Sequence, residues 1–511
     1  MNSRKLLSRL MELGREITVW SGVSALLDWD QETTMPPKAI LSRSRQCSAV
    51  AALLHEKITA PEIGDLLAKL EAGDSQPFGG DTVCADMTRT DRSFIRYVYR
   101  TYSRETKLPT SLVKALSETC SQAQSAWARA RQDNNFSLFQ PWLEKIIDLK
   151  LQSADTFGYE DHPYDPLLDA YEPGMKTAEV DRIFSAFKAE LVPLVQRIAD
   201  APQVDNSFLT KHYPAQFQEE FGRQVLETFG YPMDRGRLDV SAHPFTTEIS
   251  DDDVRITTRY MENFFNSSLL SIVHEAGHGF YELGMGEDIR GNLLAGGTSL
   301  GIHESQSRTW ENLIGRSREF WQYFLPGLKK LFPKNLEGIE VDTFWRGINK
   351  VEPSFIRVEA DEVTYSLHVM LRFELEKDII SRKIAVKDLP EAWNEGMKSM
   401  LGIVPATAAE GILQDVHWSA GLFGYFPTYA LGNLYASQFW NAMVKDLPDV
   451  GSQIAAGEFS GIHSWLQKKI YRYGSSKTAG ELAVEISGET LNVSHFMNYL
   501  HEKYRAVYSL A

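Results

Sequence analysis

Five consecutive residues, His274-Glu275-Ala276-Gly277-His278, constrain this chain more than any other stretch. Residues four apart lie on one face of a helix. Two imidazoles on that face can hold one metal ion from the same side. The glutamate beside the first histidine is then placed to act as a base on a water. With 12 histidines in 511 residues, chance would place such a pattern roughly 0.02 times in a chain like this. A near miss at His55-Glu56-Lys57-Ile58-Thr59 lacks the second histidine.

The flanks predict a helix from Ser267 to Gly284. Asn266 to Ser268 offer N-cap oxygens, and Gly284 offers a stop. Leu269, Ile272, Val273, Ala276, Phe280 and Leu283 recur at helical spacing and form one apolar face. His274 and His278 fall nearly opposite, beside Leu270 and Tyr281 rather than lysines or arginines. Such a helix is expected to be buried on both sides, with its second side lining an internal groove.

A catalytic metal held this way takes a third protein ligand and keeps one position open. The continuation HExxHxxGxxH is missing, because Gly279 to Gly284 reads GFYELG. Glu304 is the expected third ligand. It follows a glycine-rich loop and opens a helix carrying Trp310, Leu313 and Ile314. Glu282, Glu287 and Glu311 compete. Glu282 is too far along the helix axis to share a metal with His274, and Glu311 is two turns further on. His303 reads as a structural or supporting group rather than a ligand.

Composition narrows the class. A hydrophobic share of 43%, a charged share of 24% and a formal charge of -15 describe a globular protein without a general nucleic-acid or anionic-membrane surface. No membrane partner is expected, since no run approaches 18 apolar residues. Cys47, Cys84 and Cys120 are far apart and lack ligand spacing, which suits a reducing, cytoplasmic setting.

Helical periodicity dominates the rest. It shows in Leu6, Leu7, Leu10, Leu13 and Ile17; in Val113, Leu116, Cys120, Ala123 and Ala126; in Val180, Ile183, Phe184, Phe187 and Leu191; and in Val363, Leu367, Met370, Leu371 and Leu375. Two extended stretches, Arg237 to Glu248 and Asp253 to Tyr260, flank a turn at Ser250 to Asp252. They predict a small sheet whose edge can align a peptide backbone beside the metal helix. The chain reads as one domain, 1–511. Asp74 to Asp81 is expected to be flexible and to set off an N-terminal helical lid, roughly residues 1–80.

Further motifs carry a resemblance. His243-Pro244-Phe245, the stretch Asp253 to Thr258 (DVRITT), HEAGH with HESQS after it, Ile356 to Asp361 (IRVEAD) and Gly411 to Trp418 (GILQDVHW) stand in one order. With Leu27 to Pro36 (LDWDQETTMP), they make the chain resemble the carboxypeptidase Taq family of metallocarboxypeptidases over nearly its full length. The resemblance implies a mostly helical, saddle- or clam-shaped, neurolysin-like zincin with a small β-sheet beside a deep groove. It also implies a homodimer with one zinc per subunit, for which cobalt can substitute. The implied activity is release of C-terminal residues from peptides, with broad preference and poor cleavage at proline.

On this reading His274, His278 and Glu304 hold the metal and Glu275 is the base. Tyr425 is the expected oxyanion donor, with His243 as a second donor. Arg357 is the candidate for the substrate's terminal carboxylate, with Asp361 orienting it, because a guanidinium offers a bidentate fork. His417 and Tyr429 are assigned to substrate binding, and Arg255 to support of a wall at one groove end. Two rivals are an oligopeptidase or dipeptidyl carboxypeptidase with an open groove, and a metal-stabilised peptide-binding protein without turnover.

Overall fold

The computed structural model describes residues 3–73 and 86–510. The stretch Asp74 to Asp81 lies outside the described residues. The fold is mostly helical, with one three-stranded sheet. One continuous set of buried apolar residues runs from Leu6 to Tyr508.

The helical stripes read from sequence form helices Ser3–Thr33, Thr110–Gln132, Thr177–Ala199 and Tyr365–Ile380. One stripe is shifted. Helix Thr110–Gln132 buries Leu112, Thr119, Ala123 and Ala130 and leaves Val113 41% exposed. Beyond Leu112 this helix docks through the small residues Thr119, Ala123 and Ala130, so the apolar stripe starting at Val113 does not define the buried face.

The sheet corrects the reading of Arg237 to Glu248 as one stretch. It is two strands, β1 (Gly236–Val240) and β2 (Thr246–Ser250), with β3 (Asp253–Thr258) lying between them in the sheet. Pro244 lacks a backbone donor and falls in the break. β1 runs parallel to β3, and β2 runs antiparallel to it. β2 is therefore an edge.

The long first helix closes onto this sheet. Its Trp29 is buried between two guanidinium groups, Arg237 from β1 at 5.0 Å and Arg255 from β3 at 4.2 Å from the ring centroid. Such stacking is worth about 0.5–2 kcal/mol per pair. Arg255 also makes a two-pronged pair with Asp253. Arg255 thus stiffens the sheet and pins the N-terminal helix to it.

Candidate active site

The HExxH motif lies in helix Phe265–Leu283. Its N-cap is Phe264, without a side-chain cap, so Asn266 to Ser268 fall inside the helix rather than at its start. Leu269, Ile272, Val273, Ala276, Phe280 and Leu283 are all buried. Phe280 meets Trp310 and His463 at centroid distances of 4.8 and 4.5 Å. The second side is buried at Leu270 and Tyr281, while His274 and His278 keep 19% and 15% of their side-chain surface open.

Helix Leu300–Arg308 crosses this helix at Gly277. A Cβ at Gly277 would lie 2.7 Å from the Gln306 carbonyl oxygen and the Ser307 Cα. Only glycine between the two histidines lets the second helix come so close. That approach brings Glu304 to the histidine pair. Glu304 Oε2 is 3.5 Å from His274 Nε2 and 3.5 Å from His278 Nε2. One atom from each of the three residues lies within 4.8 Å of the others. Bonds of about 2.1 Å in a tetrahedron give ligand separations of about 3.4 Å, so the donor set fits one divalent ion. Burial pulls His278 down to about 3, which leaves its imidazole neutral. Burial would raise Glu304, but Arg308 and the two histidines hold it far below the usual carboxylate range. Glu282 and Glu287 lie elsewhere: Glu282 meets His303, and Glu287 faces Arg290.

A cationic end stands beside this triad. Arg357 is 4% exposed. Its Nε and one terminal nitrogen donate to Asp415 Oδ1 at 3.1 and 2.9 Å, and the other donates to the Tyr365 hydroxyl at 3.0 Å. The expected pairing with Asp361 is not formed. Asp361 instead accepts from the Val363 and Thr364 backbone and the Thr364 hydroxyl, because the chain leaves helical geometry after Glu359. Arg372 donates to the other oxygen of Asp415 at 2.6 Å. Two guanidiniums thus share one carboxylate, which leaves a positive charge over. His417 Nε2 is 3.3 Å from the Tyr429 hydroxyl, and burial with Arg357 brings His417 down to about 4, so it is neutral. The Tyr425 and Tyr429 rings are 5.3 Å apart. Burial raises both phenols, so both are protonated donors. Tyr429 and Gly432 share one face of helix Pro427–Asp446. A Cβ at Gly432 would lie 2.7 Å from the Glu304 Cβ, so the tyrosines adjoin the triad. His243 is exposed in the segment between β1 and β2, three residues before Thr246.

Comparison with known proteins identifies the family. The family described as carboxypeptidase Taq (M32) metallopeptidase matches residues 9–504. The chain belongs to this family. It is 38% identical to carboxypeptidase 1 of Bacillus subtilis over 98% of both chains. It is 41% identical to thermostable carboxypeptidase 1 of Pyrococcus furiosus over 96% of both. The crystal structure of the M32 carboxypeptidase from Deinococcus radiodurans superposes with a TM-score of 0.94 at 36% identity, covering 99% of this chain and all of that one. The protein is a metal-dependent carboxypeptidase acting on peptides. No helix among the described residues is long and apolar enough to cross a membrane.

Several contacts that shape the site of this carboxypeptidase are not legible from spacing, although the sequence marks Glu311 as a rival ligand and His303 as a supporting group. Glu311 Oε2 accepts from His274 Nδ1 at 2.8 Å, which fixes the tautomer and leaves Nε2 able to bind a metal. Helix Leu300–Arg308 continues as a π-helix, Thr309–Gly315, and Glu311 meets His274 from within that wider turn. Arg308 donates to Glu304 Oε1 at 2.7 Å and leaves Oε2 facing the histidines. His278 Nδ1 is 2.5 Å from His303 Nδ1, and His303 Nε2 is 2.5 Å from Glu282 Oε1. His303 is therefore a support of His278. Thr246 on β2 donates to Glu275 Oε2 at 2.6 Å, while burial raises the Glu275 carboxyl. Glu376 accepts from Tyr164 at 2.6 Å, Trp418 Nε1 at 2.8 Å and the Gly424 amide at 3.0 Å, and so anchors the loop that ends in Tyr425.

Glu311→Gln keeps an acceptor beside His274 but removes the charge. We expect metal affinity to fall about 10–100-fold, as for other supports of metal-bound histidines. Competition with a metal-binding dye measures this. Affinity equal to the parent's would make Glu311 a partner of Arg308 and Arg316 alone.

Proposed function

We propose that the carboxypeptidase holds one zinc ion per subunit at His274, His278 and Glu304, with cobalt able to replace it. The observation carrying this is the pair of 3.5 Å separations from Glu304 Oε2 to the two Nε2 atoms, with each Nδ1 already engaged. When bound, such an ion supplies Lewis acidity toward a water and the scissile carbonyl.

The chain's own groups do the rest. Thr246 occupies Glu275 Oε2, so Oε1 is the free oxygen that takes the proton of the attacking water. The same oxygen returns it to the leaving amine. The edge strand β2 lies beside Glu275 and presents a line along which a substrate backbone can extend. Tyr425 donates its phenolic hydrogen to the oxyanion, with Tyr429 behind it. The charge left over from Arg357, Arg372 and Asp415 receives the substrate's terminal carboxylate through Arg357. His417, neutral and beside Tyr429, lines this end. His243, on its exposed loop, reaches substrate only where the substrate fills the groove toward β1.

Specificity in this reading is broad at the C-terminal residue and poor at proline, whose ring removes the amide hydrogen. The protein works as one domain, with the N-terminal helices as a lid pinned through Trp29. It acts as a homodimer in the cytoplasm, and the free Cys47 and Cys120 suit a reducing setting.

Tyr425→Phe tests the oxyanion assignment. Loss of one such donor lowers kcat by a factor of about 10²–10³ and leaves KM nearly unchanged. Steady-state kinetics on a synthetic peptide read the split. An unchanged kcat would return Tyr425 to packing against Tyr171 and move the donor role to Tyr429.

A further inference from the structure

A second cavity of about 350 Å³ lies behind the tyrosine loop. That is within the range of small-molecule sites, roughly 300–1,000 Å³. Its walls come from helices Arg89–Lys107, Thr110–Gln132 and Gln140–Phe157 and from the segment leading to Tyr171. Much of the lining is apolar, including Leu108, Leu116, Phe157 and Phe423. Three cations face it, Arg100, Arg104 and Lys150.

Their charges are not fully matched. Arg100 and Arg104 share the Asp169 carboxylate at 3.0 and 2.7 Å. Arg104 also lies 4.4 Å over the Phe157 ring, which fixes one edge of the cavity. Glu105 lies 3.5 Å from His55. Lys150 has no hydrogen bond or ion pair among the described residues. Burial lowers its ammonium below the ordinary lysine range. A half-buried ammonium whose acidic neighbours, Cys120 and Glu376, make no direct pair with it is costly, and it marks a place for an anion.

We propose that this cavity binds a small organic monocarboxylate, with its carboxylate on Lys150 and its apolar body against Phe157 and Phe423. The apolar lining and the one cation without a direct partner, Lys150, favour such an acid over inorganic phosphate, which needs more donors and no apolar wall. The site is separate from the Arg357 end of the groove. It touches the active site only through Tyr171, whose ring meets Tyr425 edge-on at 5.0 Å.

Titration of the metal-loaded protein with 4-fluorophenylacetate, followed by fluorine NMR, tests this. The Arg357→Ala variant is used as background, so that carboxylate capture in the groove is removed. Saturable binding is expected there, at least tenfold weaker after Lys150→Gln and restored by Lys150→Arg. Leu116→Trp, which fills the cavity and spares Lys150, should also abolish it. The neutral 4-fluorophenylacetamide should bind at least tenfold more weakly than the acid. No saturable binding at millimolar acid would overturn the proposal. So would binding insensitive to both Lys150→Gln and Leu116→Trp, which would place the acid outside this cavity. Equal binding of acid and amide would reduce the cavity to an apolar pocket without an anion site.

Discussion

Glu275→Gln should stop peptide turnover while the metal stays in place. Both histidines and Glu304 are untouched, and the amide has nearly the shape of the carboxylate. The Thr246 hydroxyl can still donate to the remaining oxygen, so the side chain keeps its place. What disappears is a group able to take a proton. A positioned acid–base group is worth about 10²–10⁴ in rate. The loss should therefore appear in kcat, at full metal content by elemental analysis. Burial raises the carboxyl of Glu275, which makes it a better acceptor near neutral pH than an exposed glutamate would be. A metal-replete variant with parental kcat would refute the base role. A variant that loses both metal and activity would show that Glu275 helps to build the site, and the base would have to be sought again.

Arg357→Ala should separate exopeptidase recognition from catalysis. In the parent, Arg357 and Arg372 share Asp415. Removing Arg357 leaves Asp415 matched by Arg372 alone, so the local excess of positive charge vanishes. A free-acid substrate then loses its counter-charge at one end of the groove. Removal of one partner from such a buried pair costs about 2–5 kcal/mol. At about 1.4 kcal/mol per tenfold, kcat/KM on free-acid peptides should fall roughly 30- to 3,000-fold. On C-terminally amidated peptides, already poor substrates, it should change little. The acid-to-amide preference should therefore narrow, at normal metal content. Equal proportional losses on both substrates would mean that Arg357 only holds Asp415 and Tyr365 in place.

The part of the site legible in the sequence is the part written in periodicity and ligand chemistry. The i, i+4 histidines announce their own helix. Glu304 follows from the need for a third ligand close downstream. The apolar face from Leu269 to Leu283 is buried as its spacing predicts. The missing parts come from groups that meet across the fold. Thr246 reaches Glu275 from a strand 29 residues upstream, and Asp415 reaches Arg357 from 58 residues downstream. No spacing rule links such pairs, so the near neighbour Asp361 stood in for Asp415. Gly277 reads from sequence as a weak helix former, yet its lack of a Cβ is what admits the Glu304 helix. The split of β1 from β2 was signalled by Pro244, but hydrophobic alternation alone runs through it.

The π-helix at Thr309–Gly315 makes this metal centre depend on a count of residues as well as on their identity. A π turn is, in effect, an α-helix carrying one residue too many. Removing Thr309 or Trp310 would let the α-helix run on and swing everything after it, Glu311 included, by about 100°. Glu311 would turn away from His274, although every ligand and every supporting residue could still be present in the chain. Substitutions within this turn should therefore be tolerated better than single-residue deletions. Deletion of Thr309 or Trp310, which lie between the Glu304 helix and Glu311, should cost metal affinity even with Glu311 retained, and chelator competition would show it. For lineages that drift by insertion and deletion, the centre is guarded at this point by length.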